Sequence, residues 1–426
     1  MKLPKAVFIE PGTNHWYGSV AVSLSVFVFA YSFIYGPPSV LLYYALWLPL
    51  VLIDYRAVLG NYTRYLWIVA FAAFACLSVF WSDAPRVTAR AGVQYASHVV
   101  CALIAARTID LKTLLTGLLG GTFLVLLFSV GFGDFIYDPL DGSYSFSGLF
   151  SSKNQLGFFA SLAVYAAFAY LFLPSTLLAT KALAVLVGIF GLYALVISQS
   201  ATAMIALAAT LLAVIALGCT LFLPPGTRKS FVAFGATLAI ILALMAYSMG
   251  AVDLVLAFFG KDSTLTGRTY LWSEGWLAAQ DSPIVGLGYQ AYWVQGFSEA
   301  ERLWHEFYIT ARSGFHFHNT YIEALVELGY VGCALIILVL LLTSVGVLRG
   351  VIANQAGLGW LILTGIMIML VIRSFFEVDV MHPYAIGSFL LYYTAGRVAG
   401  RTAMSRRVAR AVPDWRRYAP QGGVRP

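Results

Sequence analysis

Apolar runs about as long as a bilayer is thick recur along this chain, and nothing else in the sequence constrains its fold as strongly. A helix needs roughly 20 apolar residues to cross the hydrocarbon, where each backbone polar group has to be satisfied inside the helix. Twelve such runs stand out, near residues 18–35, 38–54, 64–81, 88–106, 112–132, 154–173, 181–198, 201–221, 231–250, 320–345, 356–373 and 383–399. The fourth is the weakest, because Arg90, Gln94 and His98 interrupt it. Sixty per cent of the residues are hydrophobic, 11% are charged and the mean hydropathy is +0.83, so lipid is the solvent for most of the chain. Trp16, Tyr17, Tyr43, Tyr44, Tyr65, Trp67 and Trp81 lie at the ends of apolar runs, where interfacial aromatics are expected. The expected fold class is an all-α polytopic membrane protein of about twelve transmembrane helices.

Cations orient it. With the N-terminus inside, the inner segments hold 18 of the 26 Lys and Arg residues; the outer ones hold the other 8, Arg86, Arg90, Lys153, Lys261, Arg268, Arg302, Arg312 and Arg373. Both termini are then cytoplasmic. Residues 1–249 carry helices one to nine with short loops, 250–319 form one large periplasmic loop with short helices, 320–399 carry helices ten to twelve, and 400–426 form a basic cytoplasmic tail. The start Met1-Lys2-Leu3-Pro4-Lys5, with no small-residue cleavage site before the first run, is expected to lead into an uncleaved first span. The basic tail reads as an anchor to anionic membrane lipid rather than a nucleic-acid site.

Several chemistries find no support. Cys76, Cys101, Cys219 and Cys333 all fall inside apolar runs and read as small buried hydrophobes. Of the six histidines only His316 and His318 stand together, and no CxxC or HExxH spacing occurs, so no metal or other cofactor is expected. No Walker loop, no GxGxxG after a strand and no DxD-like pair in an inner loop offers a nucleotide sugar a place. A donor substrate should arrive through the membrane.

Three outer motifs could carry chemistry. In Gly148-Leu-Phe-Ser-Ser-Lys153-Asn154-Gln-Leu-Gly157, Ser151 or Ser152 can cap the sixth span, which puts Lys153 and Asn154 in its first turn. A cation there opposes the helix dipole, a conflict that a shared anion would relieve; a lysine snorkelling from an ordinary helix end gives the same pattern. In Gly267-Arg268-Thr-Tyr-Leu-Trp272, followed by Ser282-Pro-Ile-Val-Gly286-Leu-Gly288, Arg268 offers a planar fork for phosphate oxygens, and Trp272 and Trp276 offer flat faces for sugars. An amphipathic interfacial helix accounts for the same residues. In His316-Phe-His318-Asn319-Thr-Tyr321-Ile-Glu323, a helix starting near His316 would align His316, Asn319, Glu323 and Glu327 as one polar stripe entering the membrane, and ionisable groups there usually serve function. Arg86 and Arg90 after Trp81-Ser-Asp-Ala-Pro85, and Arg373 before Glu377, Asp379 and His382, add outer cations suited to a pyrophosphate.

In these motifs and their order, from Trp81 to the last run, the chain resembles the O-antigen ligase and polysaccharide polymerase superfamily. The likeness also takes in Ser198-Gln-Ser200-Ala-Thr202 and Gly329, eleven positions after His318. The resemblance implies a metal-independent, inverting glycosyltransferase whose donor is a polyprenyl-pyrophosphate-linked glycan and whose acceptor is another lipid-linked glycan or the lipid A core. Arg90, Lys153 and Arg268 would hold the pyrophosphate, and His318 would position or deprotonate the acceptor hydroxyl, with His316 the rival for that role. Asn154, Trp272, Asn319, Tyr321 and Glu323 would support them. The form around Lys153 looks more like exopolysaccharide polymerases than ligases. A transporter for the same lipid-linked glycans is the rival of another class, but no repeat relates the two halves.

Overall fold

The computed structural model describes residues 4–60, 62–137, 142, 144–174, 176–250, 267–312, 314–353 and 357–411. Among these, nine helices are long and apolar enough to cross a membrane: Trp16–Tyr35, Tyr55–Phe80, Leu111–Phe132, Lys153–Leu171, Leu178–Ser198, Ala201–Phe222, Pro225–Ala246, Thr320–Ile352 and Gly357–Ser374. The protein is thus an all-α polytopic membrane protein. The three other expected runs are helical but differ in kind. Residues 37–53 break into Pro37–Trp47 and Leu50–Ile53, because Pro49 has no N–H to continue the ladder. The Arg90 helix, Pro85–Thr108, runs 24 residues with a polar exposed edge, and Ile386–Ala411 begins after the Pro383 turn and continues past the expected end at 399. Residues 251–266 of the expected large loop and 412–426 of the expected tail lie outside the described residues.

Small residues let the helices approach closely. A Cβ at Gly117 would lie 2.4 Å from the Val22 side chain, and one at Gly121 would lie 2.6 Å from Val26, so Trp16–Tyr35 and Leu111–Phe132 pack almost backbone to backbone. Gly157 does the same for the Lys153 helix against Ser200 and Ala203, at 2.7 and 2.8 Å. Other faces stay apolar and exposed, as on Leu178–Ser198, where Leu186, Ile189 and Leu192 are more than half exposed. In the membrane such a surface meets lipid tails and costs nothing to leave uncovered by protein.

One helix is interrupted. Within Thr320–Ile352, Gly329 takes φ 62° and ψ −166°, which ends one helical segment and starts another. The freed groups bond to the Ser282–Gly288 loop: Tyr330 and Val331 donate to Pro283 and Ile284 carbonyls at 2.8 and 3.2 Å, and Leu287 and Gly288 donate to Val326 and Glu327 carbonyls at 3.1 and 2.8 Å. Glycine is needed on both sides, since a Cβ at Gly286 or Gly329 would fall 2.3 Å from the opposing backbone. The same loop also reaches the Trp81 turn, where the Trp81 indole donates to Val285 and Asp83 N–H to Leu287. Segments distant in sequence are therefore locked together at one end of the bundle.

Candidate active site

At that end the helix Thr320–Ile352 starts one residue after Asn319, whose Oδ1 accepts from the Tyr321 and Ile322 amides at 2.9 and 3.2 Å. The polar stripe expected from His316 therefore does not form. His316 and His318 belong to the non-helical segment before the cap, and His318 sits in the left-handed region at φ 51°, a conformation incompatible with continuing the helix backwards. Its amide donates to His316 Nδ1 at 3.1 Å, and the two rings lie 4.3 Å apart.

The hub of the site is Glu377, in the connection between Gly357–Ser374 and Ile386–Ala411. One carboxylate oxygen accepts from Arg268 Nη2 at 2.8 Å and the other lies 3.3 Å from His318 Nδ1. Arg268 Nη1 also donates to the Phe376 carbonyl at 2.6 Å. Burial would push the Glu377 carboxyl up, but Arg268 and then His318 outweigh it and hold the pKa well below the usual glutamate range. Burial pushes the other way at His316, whose imidazole is held well below its ordinary value, with His318 adding to the effect. His316 is thus a neutral neighbour of the His318–Glu377–Arg268 line.

The supporting residues secure this arrangement. Thr320 Oγ1 donates to the Glu377 carbonyl at 2.7 Å, Asn319 Nδ2 to the Phe375 carbonyl at 3.2 Å, and Tyr321 shares a hydrogen bond with Ser374 at 2.8 Å. Glu323, fully buried, accepts from the Phe317 amide at 2.8 Å and the Trp293 indole at 3.0 Å, bracing the histidine segment. The Trp272 indole donates to the Phe317 carbonyl at 2.9 Å from the helix that starts with Arg268, Arg268–Ala278. Asn319, Tyr321, Glu323 and Trp272 thus meet the backbone or side chains around His318 and Glu377.

Lys153 and Asn154 form a second centre. Ser152 is the cap, accepting from the Asn154 amide at 3.2 Å, and Asn154 Oδ1 accepts from Ser200 Oγ at 2.8 Å. The Lys153–Asn154 motif and Ser198-Gln-Ser200 are therefore one unit made of two helix starts. A link runs from here to the first centre: Phe158, five positions along the Lys153 helix, carries the Arg373 guanidinium 4.1 Å above its ring, and Arg373 binds Asp379 at 2.6 Å in the Glu377 connection. Arg373 is fully buried, so it is a strut between the centres rather than an open cation at the rim. Arg90 is exposed on its helix and acts on the Tyr384 phenol, which burial raises and Arg90 pulls back. The structure joins Arg268 to His318 through Glu377; Lys153 begins the helix whose Phe158 meets Arg373, and Arg90 acts on Tyr384.

Glu377, Asp379, Gln290 and His382 have no role in the site by sequence alone, which singles out only Arg373 of that connection, as a cation for pyrophosphate. For Glu377, Asp379 and His382 the signal is their crowding with Arg373 into ten positions of one short connection. His316, His318 and Glu377 each offer a ligand atom within 4.8 Å of the others, a set able to hold a metal ion, although the carboxylate already faces the Arg268 guanidinium.

Comparison with known proteins bears on what the site does. Residues 183–337 match the family described as O-Antigen ligase, a stretch that contains Arg268, His316, His318, Asn319 and Glu323. The chain is 52% identical over 398 residues to the exopolysaccharide production protein ExoQ of Rhizobium meliloti (strain 1021), covering 93% of this chain and 92% of that one.

Proposed function

Since the chain belongs to the O-antigen ligase and exopolysaccharide polymerase superfamily, we propose that it transfers a glycan from a polyprenyl-pyrophosphate donor to a sugar hydroxyl on the periplasmic face of a bacterial inner membrane. The single observation that carries the reading is the shared carboxylate of Glu377, bonded to Arg268 on one side and His318 on the other. With His318 Nδ1 turned to Glu377, Nε2 is the nitrogen left to take a proton from the acceptor, and the carboxylate stabilises the imidazolium that forms. The hydroxyl oxygen attacks the anomeric carbon from the face opposite the pyrophosphate. The carbon–oxygen bond to pyrophosphate breaks with inversion, and the polyprenyl pyrophosphate leaves with the bonding electrons.

Charge grows on that leaving group in the transition state, and Arg268 has N–H groups beyond the two it spends on Phe376 and Glu377. Lys153 and Arg90 supply further positive charge. A guanidinium beside the carboxylate meets the demand that a divalent ion would otherwise meet, so the reaction is read as metal-independent. The distribution of Lys and Arg argues for cytoplasmic termini. A relative concerned with exopolysaccharide production favours a second lipid-linked glycan as acceptor, hence a polymerase, over transfer to the lipid A core.

Reconstituted protein given lipid-linked repeat units should lengthen them without nucleotide and in the presence of a chelator. His318→Ala and Arg268→Ala should each lower kcat by on the order of 10²–10⁴-fold with folding intact. Turnover that vanishes with chelator and returns with a divalent cation would reverse the mechanism and put an ion on His316, His318 and Glu377. Product appearing only when lipid A core is offered would make the protein a ligase.

A further inference from the structure

Beside the His318–Glu377 line lies a group of side chains that the transfer step leaves unused. His382 Nδ1 is 3.0 Å from the Gln290 carboxamide nitrogen, and its ring centre is 6.1 Å from that of His316. With the amide donating to Nδ1, the proton of the neutral ring sits on Nε2. That Nε2 is buried and has no hydrogen-bond partner among the described residues. A buried N–H with no acceptor costs about 1–3 kcal/mol.

The backbone around it is also held in an unfavourable form. Gln290, His318 and Tyr384 all take left-handed φ, at 57°, 51° and 55°, although none is glycine. Conformations of this kind cost of order 1–3 kcal/mol each and gather at ligand sites. Gln290 is forced into its place because Tyr289 is pinned on three sides: its amide donates to Ser78 Oγ at 3.0 Å, its carbonyl accepts from Thr88 Oγ1 at 2.9 Å, and its phenol donates to the Met381 carbonyl. Ser388 Oγ in turn donates to the His382 carbonyl at 2.9 Å. Two separate chain segments are thus fixed so that one carboxamide and one imidazole meet.

We propose that Gln290 and His382 form a subsite for the glycan, in which His382 Nε2–H donates to an uncharged sugar oxygen beside the reacting hydroxyl. This inference rests on the glycosyl-transfer reading and adds the part of the substrate that the cations do not address. Burial holds the His382 imidazole down at about 4, so at neutral pH the ring carries no charge. A neutral donor next to a neutral amide suits a hydroxyl or ring oxygen, whereas phosphate oxygens call for guanidinium and ammonium groups. Amide and imidazole N–H groups placed by rigid backbone are also the groups that let a site reject a sugar lacking the matching oxygen.

The test uses two soluble probes on the purified full-length protein, with binding followed by tryptophan fluorescence: the repeat-unit oligosaccharide released from its lipid, and geranyl pyrophosphate. His382→Phe should weaken oligosaccharide binding at least tenfold, about 1.4 kcal/mol, and leave geranyl pyrophosphate binding within about twofold. Gln290→Leu should weaken the same probe, and the double variant should add little, as expected for one coupled pair. Should His382→Phe fail to fold, His382→Asn and Gln290→Leu decide the matter by the same readout. Unchanged oligosaccharide binding, or a loss on geranyl pyrophosphate instead, overturns the subsite. Turnover of lipid-linked repeat units is measured alongside. Wild-type protein that binds the oligosaccharide through His382 yet transfers nothing would sink the transferase reading and leave the subsite standing.

Discussion

Two parts of one end of the bundle carry cations, and they are built differently. The Lys153 centre comes from neighbouring residues: Ser152 caps, Lys153 and Asn154 fill the first turn, and one outside residue, Ser200, braces them at 2.8 Å. The Arg268 centre has no local logic. Its members lie 109 and 59 positions from Glu377, which joins them. The first centre is a helix start with a charge added, and a helix start can be damaged in part. The second is a line of three groups in which the middle one serves both ends, so losing it should affect both at once.

The largest effect is therefore expected at the hub. Glu377→Gln removes the charge that pairs Arg268 and orients His318, and kcat should fall on the order of 10²–10⁴-fold, measured in single turnovers of lipid-linked repeat units. The same variant has a pH signature. Because the folded-state pKa of Glu377 is lowered, its contribution to stability is complete above the unfolded glutamate value of about 4.3 and is lost as pH falls below it towards the folded value. Wild-type Tm should decline over that acid range more steeply than that of Glu377→Gln. Parallel declines would mean that the ion pair adds nothing to the fold.

Asn154→Ala should do less. It removes the acceptor of the Ser200 hydroxyl, worth about 1 kcal/mol, and activity should drop about fivefold while Lys153 keeps its charge. A loss as deep as at Glu377 would erase the distinction between the centres. The smallest effect is expected at Asn319. Replacing it by Ala costs a helix cap, about 1 kcal/mol in thermal stability, and Asn319→Ser should restore most of that loss. If Ser restores Tm but turnover stays a hundredfold down, Asn319 touches the sugar rather than only holding the helix and the Phe375 carbonyl.

Much of the molecule was legible in sequence where the physics is local. The nine apolar helices follow from run length alone, and Ser152 was one of two caps open from the sequence. The Trp81 turn, the Gly286–Gly288 loop and Gly329 were noted as motifs, but nothing in their spacing says that the loop would bond to a broken helix. The helical period of His316, Asn319, Glu323 and Glu327 predicts a helix from His316; the Asn319 cap and the left-handed His318 backbone rule it out. Glu377 was visible only as one charge among several, since a carboxylate's role depends on which cation reaches it.

By itself, then, the sequence determined that lipid is the solvent, roughly where the chain crosses it, and which charged residues fall between the apolar runs, because bilayer thickness and backbone hydrogen bonding act on each segment separately. Only the tertiary structure decided that Arg268, His318 and Glu377 form one line, that Arg373 is a buried strut, and that Gln290 meets His382. Those outcomes depend on distances between segments far apart in the chain, which packing of helices and the docking of one loop on Gly329 set together.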